Sequence, residues 1–183
     1  DLQGPKIRLE KFAAGPHELK KGDTFTITTR DVEGTKELVG TTYKGLPGDV
    51  KAGDTLLIDD GKVKLEAVSS GAEDVVSTVV VGGFVSNNKG INLPGVAVSA
   101  PALSDKDEED LRWGLGLGCD YIALSFVRSA DDVVRVREIM REEGKSCPII
   151  AKIEKPEAVD ALDEIVDAFD GIMVARGDLG VEL

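Results

Sequence analysis

The stretch Asp170-Gly171-Ile172-Met173-Val174-Ala175-Arg176-Gly177-Asp178-Leu179-Gly180-Val181-Glu182 decides how this chain is read. An apolar run of strand length stops at Arg-Gly-Asp-Leu-Gly, so the backbone must turn sharply where an arginine and a carboxylate are presented. That is the pattern of a βα loop. Upstream, Ile149-Ile150-Ala151-Lys152-Ile153-Glu154-Lys155-Pro156 repeats it, again with charge at the C-terminal end. Lys152 and Glu154 are two residues apart on a strand, so both side chains leave the same face. If the two strands are parallel neighbours, Glu154 and Asp178 converge beside Lys152 at one rim. Two carboxylates and a lysine placed so would suit Mg2+ and a phosphate.

Outward from these strands, the second half of the chain reads as helix, strand, helix, strand, helix, strand. Ser104-Asp105-Lys106-Asp107 has capping-box spacing, Leu111 and Leu115 lie on one helical face, and Gly118 ends the helix. Asp120 to Val127 is strand-like. Ser129 is placed to cap a second helix with Val133, Val136 and Met140 inward and Gly144 as its stop. Pro156 opens a third, with Val159, Leu162, Ile165, Val166 and Phe169 inward. This order predicts a parallel sheet of right-handed βαβ units. Three strands cannot close a barrel, which usually takes about 250 residues. The sheet is therefore open, or it is part of a barrel to which Asp1–Gly4 adds the tail of one more strand.

Between Gly22 and Ser86 the texture is β-rich and punctuated by glycine. Lys20-Lys21-Gly22-Asp23-Thr24 and Lys51-Ala52-Gly53-Asp54-Thr55 each launch a strand from a Gly-Asp turn, which reused turn chemistry explains as well as duplication does. Leu56 to Val68 reads as a hairpin turning at Asp60-Gly61, with Val63, Leu65 and Ala67 alternating. Val75 to Val81 is a further strand, and Gly82-Gly83 suits a bulge or bend. Such spacing predicts a small β-barrel or sandwich.

The 183 residues allow one ordinary domain or two small ones, and 42% hydrophobic residues supply a core. Against 22 basic side chains stand 34 acidic ones, a net charge of −12, which argues against a nucleic-acid face. Cys119 and Cys147 lack metal or disulfide spacing and read as free, buried thiols in a reducing compartment. No apolar run is long enough to cross a membrane. Asp1 in place of Met is the start expected of a piece cut from a longer chain.

Five motifs stand in order: Asp1-Leu2-Gln3-Gly4-Pro5-Lys6-Ile7-Arg8, Asn88-Lys89-Gly90-Ile91-Asn92-Leu93-Pro94, Ser125-Phe126-Val127-Arg128, Ala151-Lys152-Ile153-Glu154 and Val174-Ala175-Arg176-Gly177-Asp178-Leu179-Gly180. Together they resemble the pyruvate kinase family over essentially the whole chain. The resemblance implies an α/β fold: a (β/α)8 A domain with a mobile all-β barrel B domain inserted after its third strand. Residues 1–4 would end a barrel strand, 5–96 would form the B domain, and 97–183 would supply barrel units four to six. The reaction implied is phosphate transfer from phosphoenolpyruvate to ADP, giving pyruvate and ATP, the last step of glycolysis.

Carried over by motif, Glu154 and Asp178 resemble the Mg2+ ligands, with Mn2+ as a substitute. Lys152 resembles the group facing the transferring phosphoryl and the developing enolate, where fixed positive charge favours the transition state. Gly177 and the amides after it should hold the substrate carboxylate, with Asp178 beside it. Arg8 and Lys89 resemble nucleotide-phosphate contacts, carried toward the site when the B domain closes. Many family members require K+ and have Thr and Glu where this chain has Leu2 and Lys6. The Lys6 ammonium would replace the cation, K+ would be dispensable, and Asp1 would be the one cation ligand retained. A cytoplasmic homotetrameric parent is implied, with no nucleic-acid or membrane partner, and the 183 residues alone should be inactive. With half the rim missing, they should also expose apolar faces and sheet edges.

Taken singly, each residue has a plainer reading. Lys152 and Glu154 would be a surface ion pair, Asp178 a helix cap, and Arg8 and Lys89 solvated charges. Asp59-Asp60 reads as a turn rather than a metal site, with a loose contact to bound nucleotide left open, His17 has no assigned role, Trp113 should pack, and the acidic run Asp105–Asp110 should be an exposed first helical turn. Two other functions stay open: a Mg2+-dependent lyase or aldolase acting on pyruvate-like enolates, and a nucleotide-binding module without catalysis.

Overall fold

The computed structural model describes all 183 residues, and they divide into two compact units: Lys6–Ala100 with Glu182, and Asp1–Pro5 with Pro101–Val181 and Leu183.

Within the first unit lie β1 (His17–Leu19), β2 (Thr24–Thr28), β3 (Leu38–Gly40), the short α1 (Leu46–Asp49), β4 (Thr55–Ile58), β5 (Val63–Ser70), β6 (Asp74–Val81), β7 (Gly83–Val85) and β8 (Ile91–Asn92). Six strands form one sheet in the order β3-β2-β6-β5-β4-β8, and β1 pairs with β7. Residues 7–10 bind both edges of the six-stranded sheet. On one side Ile91 N–H donates to the Ile7 carbonyl and Leu9 N–H to that of Lys89; on the other Glu10 N–H donates to Gly40 and Thr42 N–H to Arg8. The sheet thus closes into a barrel and loses its free edges. Its interior is filled by alternate residues of each strand, Phe25, Ile27, Leu56, Ile58, Val63, Leu65 and Val75 among them, all fully buried. Burying one such side chain contributes about 1.5–3 kcal/mol.

The two Gly-Asp turns share one chemistry. Gly22 and Gly53 take φ of 92° and 93°, and the Asp23 and Asp54 carboxylates accept from the Lys20 and Lys51 amides at 2.9 and 2.7 Å. That suffices to explain their likeness. The hairpin is wider than Asp60-Gly61 predicts: Ile58 pairs with Val63, and Asp59, Asp60 and Gly61 all take positive φ. Asp tolerates this conformation better than most side chains.

The second unit contains α2 (Asp105–Leu117), β9 (Ile122–Leu124), α3 (Asp132–Glu142), β10 (Ile149–Ile153), α4 (Pro156–Asp160), α5 (Leu162–Ala168), β11 (Gly171–Val174) and α6 (Arg176–Glu182). Its strands are parallel in the order β11-β10-β9, and Leu2 bridges Leu124 in parallel on the outer side of β9. Four parallel segments therefore follow one another in space as in sequence, without the reversal that marks a doubly wound sheet. On β10, Ile149, Ala151 and Ile153 are buried, whereas Ile172, Met173 and Val174 of the edge strand β11 are 41%, 47% and 58% exposed.

Several local expectations change. Ser104 and Asp107 form the capping box, yet Asp107 is buried, because its Oδ1 also accepts from the Gly4 amide at 3.2 Å. Not Ser129 but Asp132 serves the start of α3, its Oδ2 accepting from the Arg128 and Ser129 amides. The third helix breaks at Ala161, and the break turns Val159 and Val166 to the surface while Ile165 and Phe169 stay buried. Trp113 does not pack; it is 70% exposed on α2. Cys119 is exposed rather than buried, and Cys147 is half-buried, where desolvation pushes its thiol up from the ordinary value.

Candidate active site at the strand ends

Strand β10 delivers Lys152 as its penultimate residue, and Glu154 follows directly after the strand. Their spacing puts Lys152 Nζ 3.3 Å from Glu154 Oε1. Both are sequestered: the Lys152 side chain is 14% exposed and that of Glu154 3%. A carboxylate removed from water costs several kcal/mol unless both oxygens are satisfied. Here Glu154 Oε2 accepts from the backbone amide of Phe126 at 2.7 Å. Phe126 takes φ of +56°, a conformation costing on the order of 1 kcal/mol for a non-glycine residue. The distorted turn after β9 thus aims a main-chain donor at the neighbouring strand's carboxylate.

An ammonium has three donors, and those of Lys152 face three acceptors. Besides Glu154 these are Ser125 Oγ at 2.8 Å and Asp1 Oδ2 at 3.3 Å, while Ser125 Oγ itself lies 3.3 Å from Asp1 Oδ1. Asp1 is held there by its own segment. Leu2 N–H donates to the Ala123 carbonyl, and Leu2 is buried in the core of this unit. A Cβ on Gly4 would sit 2.5 Å from the Ser125 carbonyl oxygen, so the close approach needs glycine, at φ +65°.

Gly177 and Asp178 stand at the same end of the next strand. Ala175 N–H still bonds the Ile153 carbonyl, and helix α6 then begins at Arg176. Leu179 N–H donates to the Ala175 carbonyl, so Gly177 and Asp178 lie in the first turn of α6, directly after β11.

The other unit joins Arg8 and Lys89, eighty-one positions apart in sequence. Arg8 bridges Gly90 antiparallel, and its Nη1 donates to the Asn88 carbonyl at 3.0 Å. Lys89 Nζ pairs with Asp59 Oδ1 at 3.0 Å, and Lys62 Nζ holds the other oxygen at 2.9 Å. These lysines, Lys62 first, keep the Asp59 carboxyl below its ordinary value. Sequence reasoning left Asp59 as a turn residue and did not foresee its partners. It also missed the Ser125 hydroxyl and the Phe126 amide, although Ser125-Phe126-Val127-Arg128 marked the place.

No group of three or more His, Cys, Asp or Glu side chains anywhere in the chain could hold a metal ion. Mg2+ does not need one, since it keeps several waters and takes one or two carboxylates. Each Glu154 oxygen has one donor facing it, and a carboxylate can accept about four. The Glu154 carboxylate therefore keeps acceptor capacity for a Mg2+ ion.

Parallel strands in sequential order, with a Lys-Glu pair at the C-terminal end of the central one, define an α/β chain. Comparison with known proteins names the family. The model of the pyruvate kinase barrel domain matches residues 1–183, and the chain belongs to that family. Its sequence is 60% identical to a pyruvate kinase of Corynebacterium glutamicum and 58% identical to one of Mycobacterium tuberculosis, each over 183 residues. A pyruvate kinase of Buchnera aphidicola is 45% identical over 188 residues. All of this chain is covered in each case, but 38% of the first relative and 39% of the other two. The chain thus spans about two-fifths of the length of these curated relatives.

Proposed function

We propose that this chain is the central part of a pyruvate kinase, which transfers phosphate from phosphoenolpyruvate to ADP. The observation that carries the reading is the buried Lys152–Glu154 pair at the strand ends of a chain belonging to the pyruvate kinase barrel family. The proposed arrangement is a (β/α)8 A domain supplying residues 1–4 and 97–183, with the β-barrel of residues 5–96 inserted as a lid. The closed β-sheet, the sequential parallel strands and the place of Leu2 beside β9 all support it.

In this reading Glu154 and Asp178 hold Mg2+, or Mn2+ in its stead, and the ion when bound neutralises substrate charge and orients its oxygens. The chain's own groups do the rest. Lys152 faces the phosphoryl group as the bond to the enolate oxygen breaks and a bond to the terminal oxygen of ADP forms, the enolate then taking a proton at carbon to become pyruvate. Its charge is worth most on the transition state, where negative charge shifts toward the leaving oxygen. The amides of Gly177 and Asp178 bind the substrate carboxylate. Arg8 and Lys89 bind nucleotide phosphates, a pairing for which the lyase alternative has no use.

The net charge of −12 supports a partner list without nucleic acid. A cytoplasmic homotetramer is proposed for the whole protein, a reading that membership of the family supports. Substituting Lys152→Ala in the full-length enzyme should abolish ADP-dependent pyruvate formation; retention of a tenth of the activity would refute the assignment. Leu2 offers no hydroxyl oxygen and the Lys6 ammonium would supply the charge, so Asp1 would be the one cation ligand retained and K+ should be dispensable. At constant ionic strength, a rise in activity greater than tenfold on adding K+ would show otherwise.

A further inference from the structure

The dipeptide after β9 touches both members of the Lys152–Glu154 pair, and it does so with different atoms. Ser125 Oγ accepts from Lys152 Nζ at 2.8 Å, the shortest of that ammonium's three contacts, and the next amide in the chain, that of Phe126, donates to Glu154 Oε2 at 2.7 Å. Ser125 is itself 4% exposed and Phe126 7%. Two of the three acceptors on Lys152 are carboxylates, so their hold on the ammonium weakens whenever another cation claims them. The Ser125 hydroxyl carries no charge, and its hold persists.

We propose that Ser125 and the Phe126 amide are a positioning element, the hydroxyl fixing Lys152 Nζ and the amide separately fixing the Glu154 carboxylate, so that each charge stays aimed independently of the other. This rests on the site reading above. Both contacts come from the turn after β9, in which Phe126 takes a positive φ: its N–H meets Glu154 of β10's C-terminal end while the Ser125 hydroxyl meets Lys152. Gly4 supports the turn from behind, since a side chain there would strike the Ser125 carbonyl. Neither residue needs to touch substrate.

The test is made in the full-length enzyme with Ser125→Ala, Ser125→Cys and Ser125→Thr. Cysteine matches serine in shape but accepts poorly, whereas threonine keeps the hydroxyl. Misplacing a catalytic group by about 1 Å can cost roughly a hundredfold, so Ala and Cys should lower kcat at least about tenfold with KM for phosphoenolpyruvate changed less than about threefold. Thr should restore most of kcat. Mn2+ affinity, read by electron paramagnetic resonance without turnover, should stay within about threefold in all three, because the Phe126 amide still holds Glu154. An Ala variant with wild-type kcat, or one that loses metal affinity in parallel with kcat, overturns the inference. If Lys152→Ala is inactive while Ser125→Ala is not, the positioning role alone falls. If Lys152→Ala is active, the site reading falls and takes this role with it.

Discussion

Each unit of this chain holds a carboxylate between cationic and polar partners, and the two settings differ in water. In the α/β unit the Lys152 and Glu154 side chains are 14% and 3% exposed; in the β-barrel Lys89, Asp59 and Lys62 are 37%, 16% and 68% exposed. The same residue types therefore do different things. A buried pair is costly to break and cheap to hold in place, because its partners are backbone and packed side chains. An exposed pair is worth less than about 1 kcal/mol and yields readily, which is compatible with the nucleotide-phosphate role proposed for Lys89.

Breaking the buried pair should give the largest effect. Lys152→Met leaves Glu154 without its ammonium and should lower unfolding stability on the order of 3 kcal/mol, read by urea denaturation. A loss below about 1 kcal/mol would mean that water reaches Glu154 after all. The barrel counterpart should be milder in stability and visible in binding. Lys89→Ala should change stability by about 0.5 kcal/mol or less yet weaken Mg-ADP binding by calorimetry roughly tenfold, the worth of one charge-assisted phosphate contact. Equal affinity in the variant would remove Lys89 from the nucleotide site.

The smallest effect sharpens the comparison from the acid side. Burial pushes the Asp49 carboxyl up, but the Tyr43 hydroxyl at 2.6 Å and the Ser99 amide and hydroxyl outweigh it, and the net shift is downward. A carboxyl held below its ordinary value stabilises the fold above that value and loses the contribution as the pH falls through the lowered one. Wild-type barrel stability should therefore decline below about pH 4, and Asp49→Asn should flatten that limb of the curve. An unchanged acid limb in the variant would show that Asp49 does not titrate across this range.

Much of the fold was legible because it rests on local rules. The glycine-terminated helices, the alternation of Val63, Leu65 and Ala67 and the two Gly-Asp turns are properties of short segments, and the structure shows them. The Lys152–Glu154 contact was legible too, since a two-residue spacing on a strand fixes the face. What failed was long-range. Trp113 is hydrophobic but sits on the outer face of α2, and Val159 and Val166 lost their inward place when the helix broke at Ala161. Asp107 looked like one more exposed acid until the Gly4 amide, over a hundred residues earlier, claimed it.

By itself the sequence determined the order of elements, the strand ends that bear charge, the family and the residues proposed to carry its chemistry, because periodicity, turn residues and motifs are written locally. Only the tertiary structure decided which groups satisfy the buried charges. Ser125, Phe126 and Asp1 reach Lys152 and Glu154 across strand pairings, and Asp59 reaches Lys89 across a closed sheet. The physical reason is that a buried charge selects its partners by distance in space, and separation along the chain carries no record of it.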